Sequence, residues 1–183
     1  MLNNMAPSIS TILDGYLFVG NRDAARDTAT LTRLGIDTVF CVAREVQVDY
    51  PTFIRANYVG WIDNASQKLD LAEMQSLCAR IHAAIEGGHR VLIHCAAGRS
   101  RSVMLTVAYI MTRFNLTLHE ANMYVRSRRP CADMNIAFHS FLYFIEPQLR
   151  DANAPSQRIP TCAPSWPASI PVGARLRRCE TYA

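Results

Sequence analysis

A loop of small residues between two apolar segments constrains the fold of this chain more than any other feature of its sequence. Residues 94–102 read His-Cys-Ala-Ala-Gly-Arg-Ser-Arg-Ser. The residues before them, 90–93, predict a short buried strand, and residues 103–111 are almost entirely apolar and predict a buried helix. A loop that ends at the start of a helix exposes free backbone N–H groups at the positive end of the helix dipole. This arrangement favours a bound anion, so the segment predicts a phosphate-binding loop in an α/β fold.

Two side chains of the loop are suited to catalysis on a phosphate. Cys95 offers a sulfur nucleophile, and the guanidinium of Arg101 is a planar, two-pronged donor that matches two phosphoryl oxygens. The basic loop and the helix N-terminus favour the thiolate of Cys95, and Ser102 is placed to donate a hydrogen bond to the sulfur. Attack on a phosphate monoester would give a phosphocysteine intermediate. The plainer alternative, a buried cysteine that closes a strand, leaves Gly98 and the flanking His94 unexplained.

The leaving oxygen of such a reaction needs a proton, so an acid must face the loop. Three aspartates upstream are candidates, Asp49, Asp63 and Asp70. Asp70 together with Glu73 predicts a helix capping box, which gives Asp70 a structural role. Asp49 lies in a polar connection, and Asp63 follows residues 55–62, which predict a strand. These patterns leave both Asp49 and Asp63 open.

The loop has the form His-Cys-x-Ala-Gly-x-Ser-Arg-Ser, which resembles the active-site signature of the cysteine-dependent protein phosphatases, the dual-specificity branch in particular. Further matching segments are Ala-Tyr-Ile-Met at 108–111, the pattern of Ala121, Val125, Arg129, Pro130 and Asn135, and Gly-Tyr-Leu-Phe-Val-Gly at 15–20, which resembles the opening strand of that branch. The resemblance covers residues 8–150. It implies one α/β domain, placed at residues 1–150, with a central, mostly parallel sheet flanked by helices.

The resemblance also implies roles for single residues. The acid of that family lies about 30 residues before the cysteine, and Asp63 lies 32 residues before Cys95, so Asp63 is the predicted general acid and base. His94 is expected to orient the loop rather than act as a base, and Asn135 to brace it. The predicted phosphate contacts come from Ala96, Ala97, Gly98, Arg99, Ser100 and Arg101. The side chain of Arg99 is expected at the rim, where it would read an acidic residue or a second phosphate.

Two positions depart from the family pattern. Cys41 stands where relatives usually have asparagine, so a supporting hydrogen bond is expected to be missing. Met134 replaces the proline that usually precedes the asparagine retained here as Asn135. Neither change touches the predicted chemistry.

The implied function is a small, atypical dual-specificity protein phosphatase that acts on phosphotyrosine, phosphoserine and phosphothreonine in signalling. One alternative is a phosphatase of the same fold that acts on a phospholipid or phosphoinositide; those relatives often carry lysine after the catalytic cysteine, where this chain has Ala96. A second alternative is a catalytically silent phospho-binding scaffold. The presence of Cys95, Arg101 and Asp63 argues against the scaffold.

The remaining pattern alternates strands with helices, which favours a sheet with helices on both faces and the loop at the carboxyl end of a central strand. Strands are predicted near 16–19, 37–43, 55–61 and 90–95, and helices near 22–34, 70–87, 100–114, 118–129 and 136–149. Gly87 and Gly88 predict a helix end, and Thr117 with Glu120 predicts a second capping box.

Residues 151–183 differ in composition, with five of the nine prolines and an arginine-rich end. They predict a tail that is flexible or draped on the domain, anchored by Trp166 and Ile170, with docking of a partner as its functional interpretation. The net charge of +4 suits an anionic substrate but does not favour nucleic-acid binding.

The six cysteines include no Cys-x-x-Cys pair, so no metal site and no cofactor are predicted. No signal peptide or membrane-spanning run is visible, and a reduced catalytic thiol suits the cytoplasm or the nucleus. Under oxidation, Cys131 is expected to protect Cys95 by forming a disulfide with it.

Overall fold

A five-stranded sheet places the phosphate loop at the centre of the fold. In the computed structural model, which describes residues 8–151 and 153–159, its strands are β1 (Ile9–Leu13), β2 (Leu17–Gly20), β3 (Thr38–Cys41), β4 (Arg55–Tyr58) and β5 (Val91–His94). Their order is β1-β2-β5-β3-β4. β1 pairs antiparallel with β2, and the other pairs are parallel. The middle strand is therefore β5, the strand that leads into the loop.

The three inner strands are buried at every position. Their near-continuous apolar sequences are typical of parallel strands that are covered on both faces. The edge strand β4, in contrast, is mostly exposed. The carboxyl end of β5 thus opens between β2 and β3, the place where open α/β sheets bind ligands.

Six helices of the described residues flank the sheet. They are α1 (Arg22–Arg26), α2 (Thr28–Leu34), α3 (Leu71–Glu86), α4 (Arg101–Phe114), α5 (Leu118–Arg128) and α6 (Ile136–Leu149). α4 packs on β2 and β5 and also contacts α3, α5 and α6, which explains why nearly all of its residues are buried. α1 contacts β2, β5 and α2. The predicted single α/β domain with a mostly parallel sheet is confirmed.

The helix ends follow the predicted signals with one difference. Thr117 and Glu120 form the full capping box of α5, and Gly87 is the C-cap of α3. Asp70 caps α3 by accepting a hydrogen bond from the N–H of Glu73. The carboxylate of Glu73 instead accepts from the indole N–H of Trp61 at 3.3 Å, so only half of the predicted box forms.

Three predicted boundaries were wrong. Residues 15–20 are not the opening strand, because β1 precedes them and forms a hairpin with β2. The predicted helix over 22–34 is broken at Asp27, whose side chain accepts from the N–H of Thr30 and starts α2 as a new helix. The predicted strand over 55–61 ends at Tyr58, so Asp63 lies in the loop beyond it.

Residues 153–159, the first part of the predicted tail, lie against the end of α4. The Nδ2 of Asn115 donates to the carbonyl of Ala154 at 2.7 Å, and the N–H of Gln157 donates to the carbonyl of Phe114 at 2.7 Å. The predicted anchors Trp166 and Ile170, and the arginine-rich end, lie outside the described residues. In the part of the chain that the structure describes, none of the helices has the length and apolar character needed to span a membrane.

Candidate active site

The loop between β5 and α4 curls around the sulfur of Cys95. Cys95 is 1% exposed. Its Sγ accepts a hydrogen bond from the backbone N–H of Gly98 at 3.2 Å and lies 3.3 Å from the Oγ of Ser102. The predicted nucleophile and the serine predicted to support it are therefore in contact at the floor of the loop.

Several backbone N–H groups of the loop have no acceptor. Among the described residues, the N–H groups of Ala96, Ala97, Arg99, Ser100 and Arg101 donate no hydrogen bond. Ser100 is the N-cap of α4, but its side chain makes no capping bond and is directed elsewhere. Uncapped N–H groups at the start of a long helix attract an anion, which supports the predicted phosphate cradle.

Gly98 shapes the cradle by a left-handed turn and a close approach. Its φ is +67°, and a Cβ there would lie 2.5 Å from the carbonyl oxygen of Gly20 and 2.6 Å from the Nη2 of Arg129. The Nε of Arg129 donates to the carbonyl of Gly98 at 2.6 Å, and its Nη1 donates to Ser10 at 3.0 Å. Burial lowers the pKa of Arg129.

The buried Arg129 therefore ties the loop to the first strand, a role that the sequence reasoning missed. The only signal was its place in the Arg129-Pro130 motif of the family resemblance.

The guanidinium of Arg101 is held by a carboxylate that the sequence reasoning also missed. Its Nη1 and Nη2 donate to the two carboxylate oxygens of Glu45 at 2.7 and 2.6 Å, and Nη1 also donates to the carbonyl of Trp61 at 3.1 Å. Arg101 is 4% exposed, and its Nε donates no hydrogen bond within the described part of the chain. Both nitrogens of the fork that was predicted to hold two phosphoryl oxygens are thus anchored by Glu45, and Nε is buried without a hydrogen-bond acceptor in the described part of the chain.

The ion pair between Arg101 and Glu45 favours the charged form of both side chains. Burial acts to lower the pKa of Arg101, but the hydrogen bond to Glu45 and the nearby charges of Cys95, Glu45 and Asp63 raise it overall. The same hydrogen bond lowers the pKa of Glu45. Arg101 is therefore a permanent cation beside the loop.

Asp63 lies across the loop and is held there. Its Oδ1 accepts from the Oγ of Ser100 at 2.7 Å and from the Nδ2 of Asn135 at 2.8 Å. Its Oδ2 lies 3.5 Å from the Nε of Arg101. Asn135 also caps α6 and its N–H donates to Ser100 at 3.3 Å, so it braces the loop and the aspartate together. Asp70, which was another candidate for the acid, is the N-cap of α3.

His94 lies behind the loop and is completely buried. Its Nδ1 is 3.3 Å from the carbonyl oxygen of Cys95, and its Nε2 is 2.5 Å from the hydroxyl of Tyr50. Burial lowers the pKa of His94 to about 4, against an opposing effect of the Cys95 carbonyl. A neutral, buried imidazole that faces a loop carbonyl is suited to orientation rather than to base catalysis.

The rim of the site carries Arg99. Its side chain is 56% exposed and pairs with Asp133 at 3.0 Å, which agrees with the expected rim position but supplies a partner from the chain itself. Cys131 is a partly buried free thiol, and its predicted disulfide with Cys95 stays a prediction. Residues 8–151 and 153–159 contain no cluster of side chains suited to a metal ion.

Comparison with known proteins identifies the family. Residues 17–148 match the family model described as the dual specificity phosphatase catalytic domain. The chain belongs to the dual-specificity protein phosphatases. The resemblance drawn from the loop sequence is therefore confirmed, and the chain is a phosphoric monoester hydrolase of the protein tyrosine phosphatase superfamily.

Individual relatives agree with this assignment. Dual specificity phosphatase 28 of Mus musculus is 33% identical over 134 residues, which cover 73% of this chain and 82% of the relative. The crystal structure of human DUSP28 superposes with a TM-score of 0.73 at 31% identity, covering 78% of this chain and 95% of that one. A mouse putative dual specificity phosphatase, solved in complex with zinc tungstate, has a TM-score of 0.73 at 30% identity and covers 81% and 92% of the two chains.

Proposed function

We propose that this phosphatase hydrolyses phosphotyrosine, phosphoserine and phosphothreonine in proteins through a phosphocysteine intermediate on Cys95. Arg101 clamps the phosphate, and Asp63 is the general acid and then the general base. The observation that carries the proposal is the meeting of the Cys95 sulfur, the open loop N–H groups, the Arg101 Nε and the Asp63 carboxyl at the start of α4.

In the first step the loop N–H groups and the Nε–H of Arg101 donate to the phosphoryl oxygens, which offsets their negative charge. The Cys95 sulfur attacks phosphorus from the loop floor, and an S–P bond forms as the P–O bond to the substrate breaks. The protonated carboxyl of Asp63 gives its proton to the leaving oxygen. The Asp63 Oδ2 lies 3.5 Å from the Nε of Arg101. A phosphoryl oxygen that accepts from this Nε takes the place of the Asp63 carboxylate as its ion-pair partner.

In the second step water attacks the phosphocysteine. The carboxylate of Asp63 takes a proton from that water as the new P–O bond forms and the S–P bond breaks. Ser102, 3.3 Å from the sulfur, donates to the departing thiolate and makes it a better leaving group. Inorganic phosphate leaves, and Cys95 and Asp63 return to their starting forms.

A solved relative supports oxyanion binding, and the chemistry of the thiol points to a compartment. The mouse relative was solved with zinc tungstate, and tungstate is a tetrahedral oxyanion like phosphate, which supports oxyanion binding by this chain. The catalytic thiol must stay reduced, so a reducing compartment, the cytoplasm or the nucleus, is proposed as the place of action.

The experiment compares wild type, Cys95→Ser and a matched control, Cys131→Ser, on a panel of substrates. The panel contains a phosphotyrosine peptide, a phosphothreonine peptide and a phosphoinositide in detergent. We expect peptide turnover that is lost in Cys95→Ser and kept in Cys131→Ser. Lipid turnover well above peptide turnover would instead favour a lipid phosphatase, and reduced wild type that binds phosphate without turnover would indicate a scaffold.

The role of Asp63 is tested by the leaving group. Asp63→Asn should slow a phosphothreonine peptide by about 10²–10⁴-fold, the usual contribution of a general acid, because its alkoxide leaves poorly. An activated aryl phosphate should be slowed much less. Equal losses on both substrates would exclude Asp63 as the acid.

A further inference from the structure

One edge of the sheet combines an open strand with a cationic cleft. β4 is the last strand in the sheet order, and among the described residues β3 is its only strand neighbour. We propose that this edge binds an extended, acidic segment of another protein, which pairs with the backbone of β4 and places a carboxylate between Arg55 and Arg80. The site is separate from the phosphate loop, which follows the middle strand, and it does not rest on the proposed function.

The backbone of β4 is paired on one side. The N–H of Arg55 donates to the carbonyl of Asp37 at 2.7 Å, so the backbone of Arg55 faces β3. Because successive residues of a strand direct their backbone groups to opposite sides, those of Ala56 and Tyr58 face away from β3. Both residues are exposed, and neither forms a further backbone hydrogen bond within the described part of the chain. The edge thus offers the donors and acceptors that an added strand would pair with.

Two arginines line a cleft along this edge. The cleft has a volume of about 390 Å³ and lies between β4 and α3. Arg55 lines it from β4 and Arg80 from α3, and both side chains are exposed. The described residues that line the cleft include no aspartate or glutamate, and neither arginine forms a salt bridge with a described residue. The cleft therefore presents two positive charges without a carboxylate in its walls.

Neutral groups hold both guanidiniums in place. The Nη1 of Arg55 is 2.8 Å from the Nε2 of His89. The Nδ1 of His89 is 2.9 Å from the carboxylate of Asp37, so in the neutral ring Nδ1 carries the proton and Nε2 accepts from Arg55. The Nη2 of Arg80 donates to the Oδ1 of Asn57. A guanidinium has five N–H donors, so each arginine keeps donors for an anionic ligand.

The walls of the cleft also restrict the two arginines before any ligand binds. The guanidinium carbon of Arg80 lies 5.5 Å from the ring centroid of Phe40, a buried residue of β3. The Asp37 carboxylate that holds His89 also accepts from the Oγ1 of Thr38 at 2.9 Å. A cation over an aromatic ring and a histidine fixed by a carboxylate lose little freedom when an anion arrives, which favours binding.

The alternation of side chains along β4 defines the partner. Arg55 and Asn57 line the cleft, whereas Ala56 and Tyr58 lie on the opposite face of the sheet. A peptide paired with β4 would alternate in the same way, so every second side chain would enter the cleft. Opposite charges on neighbouring strands stabilise the pairing, which favours acidic residues at those positions. Tyr58 is 62% exposed and favours apolar residues at the positions between them.

A second copy of this chain is a poor occupant of the same edge. Antiparallel pairing of two β4 strands in one continuous sheet would bring Arg55 and Arg80 of both copies onto one face. Like charges on neighbouring strands are destabilising, and charged side chains on an edge strand discourage self-pairing. The two arginines thus act against a second copy and in favour of an acidic partner.

The first experiment measures peptide binding to the full-length protein by fluorescence anisotropy. The probe is a fluorescein-labelled peptide with blocked ends, Thr-Val-Glu-Val-Glu-Val-Thr, and the control peptide has lysine in place of both glutamates. We expect saturable binding of the acidic peptide and binding of the control at least about tenfold weaker. Hydrogen exchange of the Ala56 and Tyr58 amides should slow when the acidic peptide is bound. No saturable binding, or no added protection of these amides, would overturn the proposal.

A backbone variant tests the pairing. Proline is accommodated in an edge strand where the N–H faces solvent, so Ala56→Pro should fold while it loses the N–H that the peptide needs. We expect Ala56→Pro to bind the acidic peptide at least about tenfold more weakly, and Ala56→Val, the matched control, to bind it like wild type. Circular dichroism checks that both variants are folded. Binding of wild-type strength by Ala56→Pro would overturn the proposal.

Charge variants test the cleft independently of the backbone. Arg55→Gln and Arg80→Gln should each weaken binding about threefold, and the double variant about tenfold, with smaller differences at high salt. Arg126→Gln is the control, because Arg126 is exposed on α5, which contacts β1 at the opposite edge of the sheet. An unchanged double variant, or an equal loss in Arg126→Gln, would overturn the proposal. Sedimentation that shows a dimer lost in Ala56→Pro would assign the edge to a second copy instead. These measurements involve no turnover, so an inactive wild type would count against the proposed function alone.

Discussion

Removing the carboxylate of Glu45 should impair phosphate binding because this carboxylate holds the guanidinium of Arg101. Glu45 accepts two hydrogen bonds from Arg101, at 2.7 and 2.6 Å, and so holds a guanidinium that is only 4% exposed. Hydrogen bonds to charged groups contribute about 1.5–3 kcal/mol each. The Glu45 side chain is 53% exposed, and solvent screening reduces that value. We take about 2 kcal/mol for the pair, which corresponds to roughly 30-fold in kcat/KM.

The assay measures kcat/KM for an aryl phosphate and the inhibition constant of vanadate with Glu45→Ala and Glu45→Gln. We expect both quantities to worsen by about 30-fold in Glu45→Ala, and by less in Glu45→Gln, because an amide oxygen can still accept from one nitrogen of Arg101. Glu86→Gln is the control, since Glu86 pairs with His82 at 3.2 Å on α3. Values for Glu45→Ala within threefold of wild type would refute the view that Glu45 orients the arginine.

Two further predictions concern the loop and its pH dependence. Gly98→Ala should lower kcat/KM by at least about 100-fold: a left-handed backbone costs a residue with a Cβ about 1–2 kcal/mol, and the Cβ would also lie 2.5 Å from the carbonyl oxygen of Gly20. Gly88→Ala, at φ +82° with no atom within 4 Å, isolates the backbone cost, and equal effects of the two variants on activity would contradict the prediction. Because the hydrogen bond from Arg101 lowers the pKa of Glu45 from its ordinary 4.5, the carboxylate stabilises the fold above that pH, and this stabilisation is lost as the pH falls through the lowered value. The difference in melting temperature between wild type and Glu45→Gln should therefore stay constant above the ordinary pKa of 4.5 and shrink as the pH falls below it. A difference that grows toward acid would argue against the assignment.

Local signals in the sequence determined most of the secondary structure around the loop. The apolar residues of α4, the capping box at Thr117 and the stop at Gly87 depend on neighbours a few residues away, so their patterns predict the elements directly. β1 was missed because a five-residue strand has little pattern of its own and is stabilised by its pairing with β2. The break at Asp27 shows that a capping side chain can end one helix and begin the next within a single periodic segment.

The sequence by itself also predicted the reacting groups that we propose, because Cys95, Arg101 and Ser102 share one short loop whose spacing is a chemical signature. Only the tertiary structure decided what holds them. Glu45 reaches Arg101, Arg129 reaches Gly98 and Tyr50 reaches the loop through His94, in each case across more than 30 residues of chain. Their hydrogen bonds depend on strand order and on which side chains become buried together. No local periodicity encodes those distances, so the fold had to bring the partners together before their roles could be recognised.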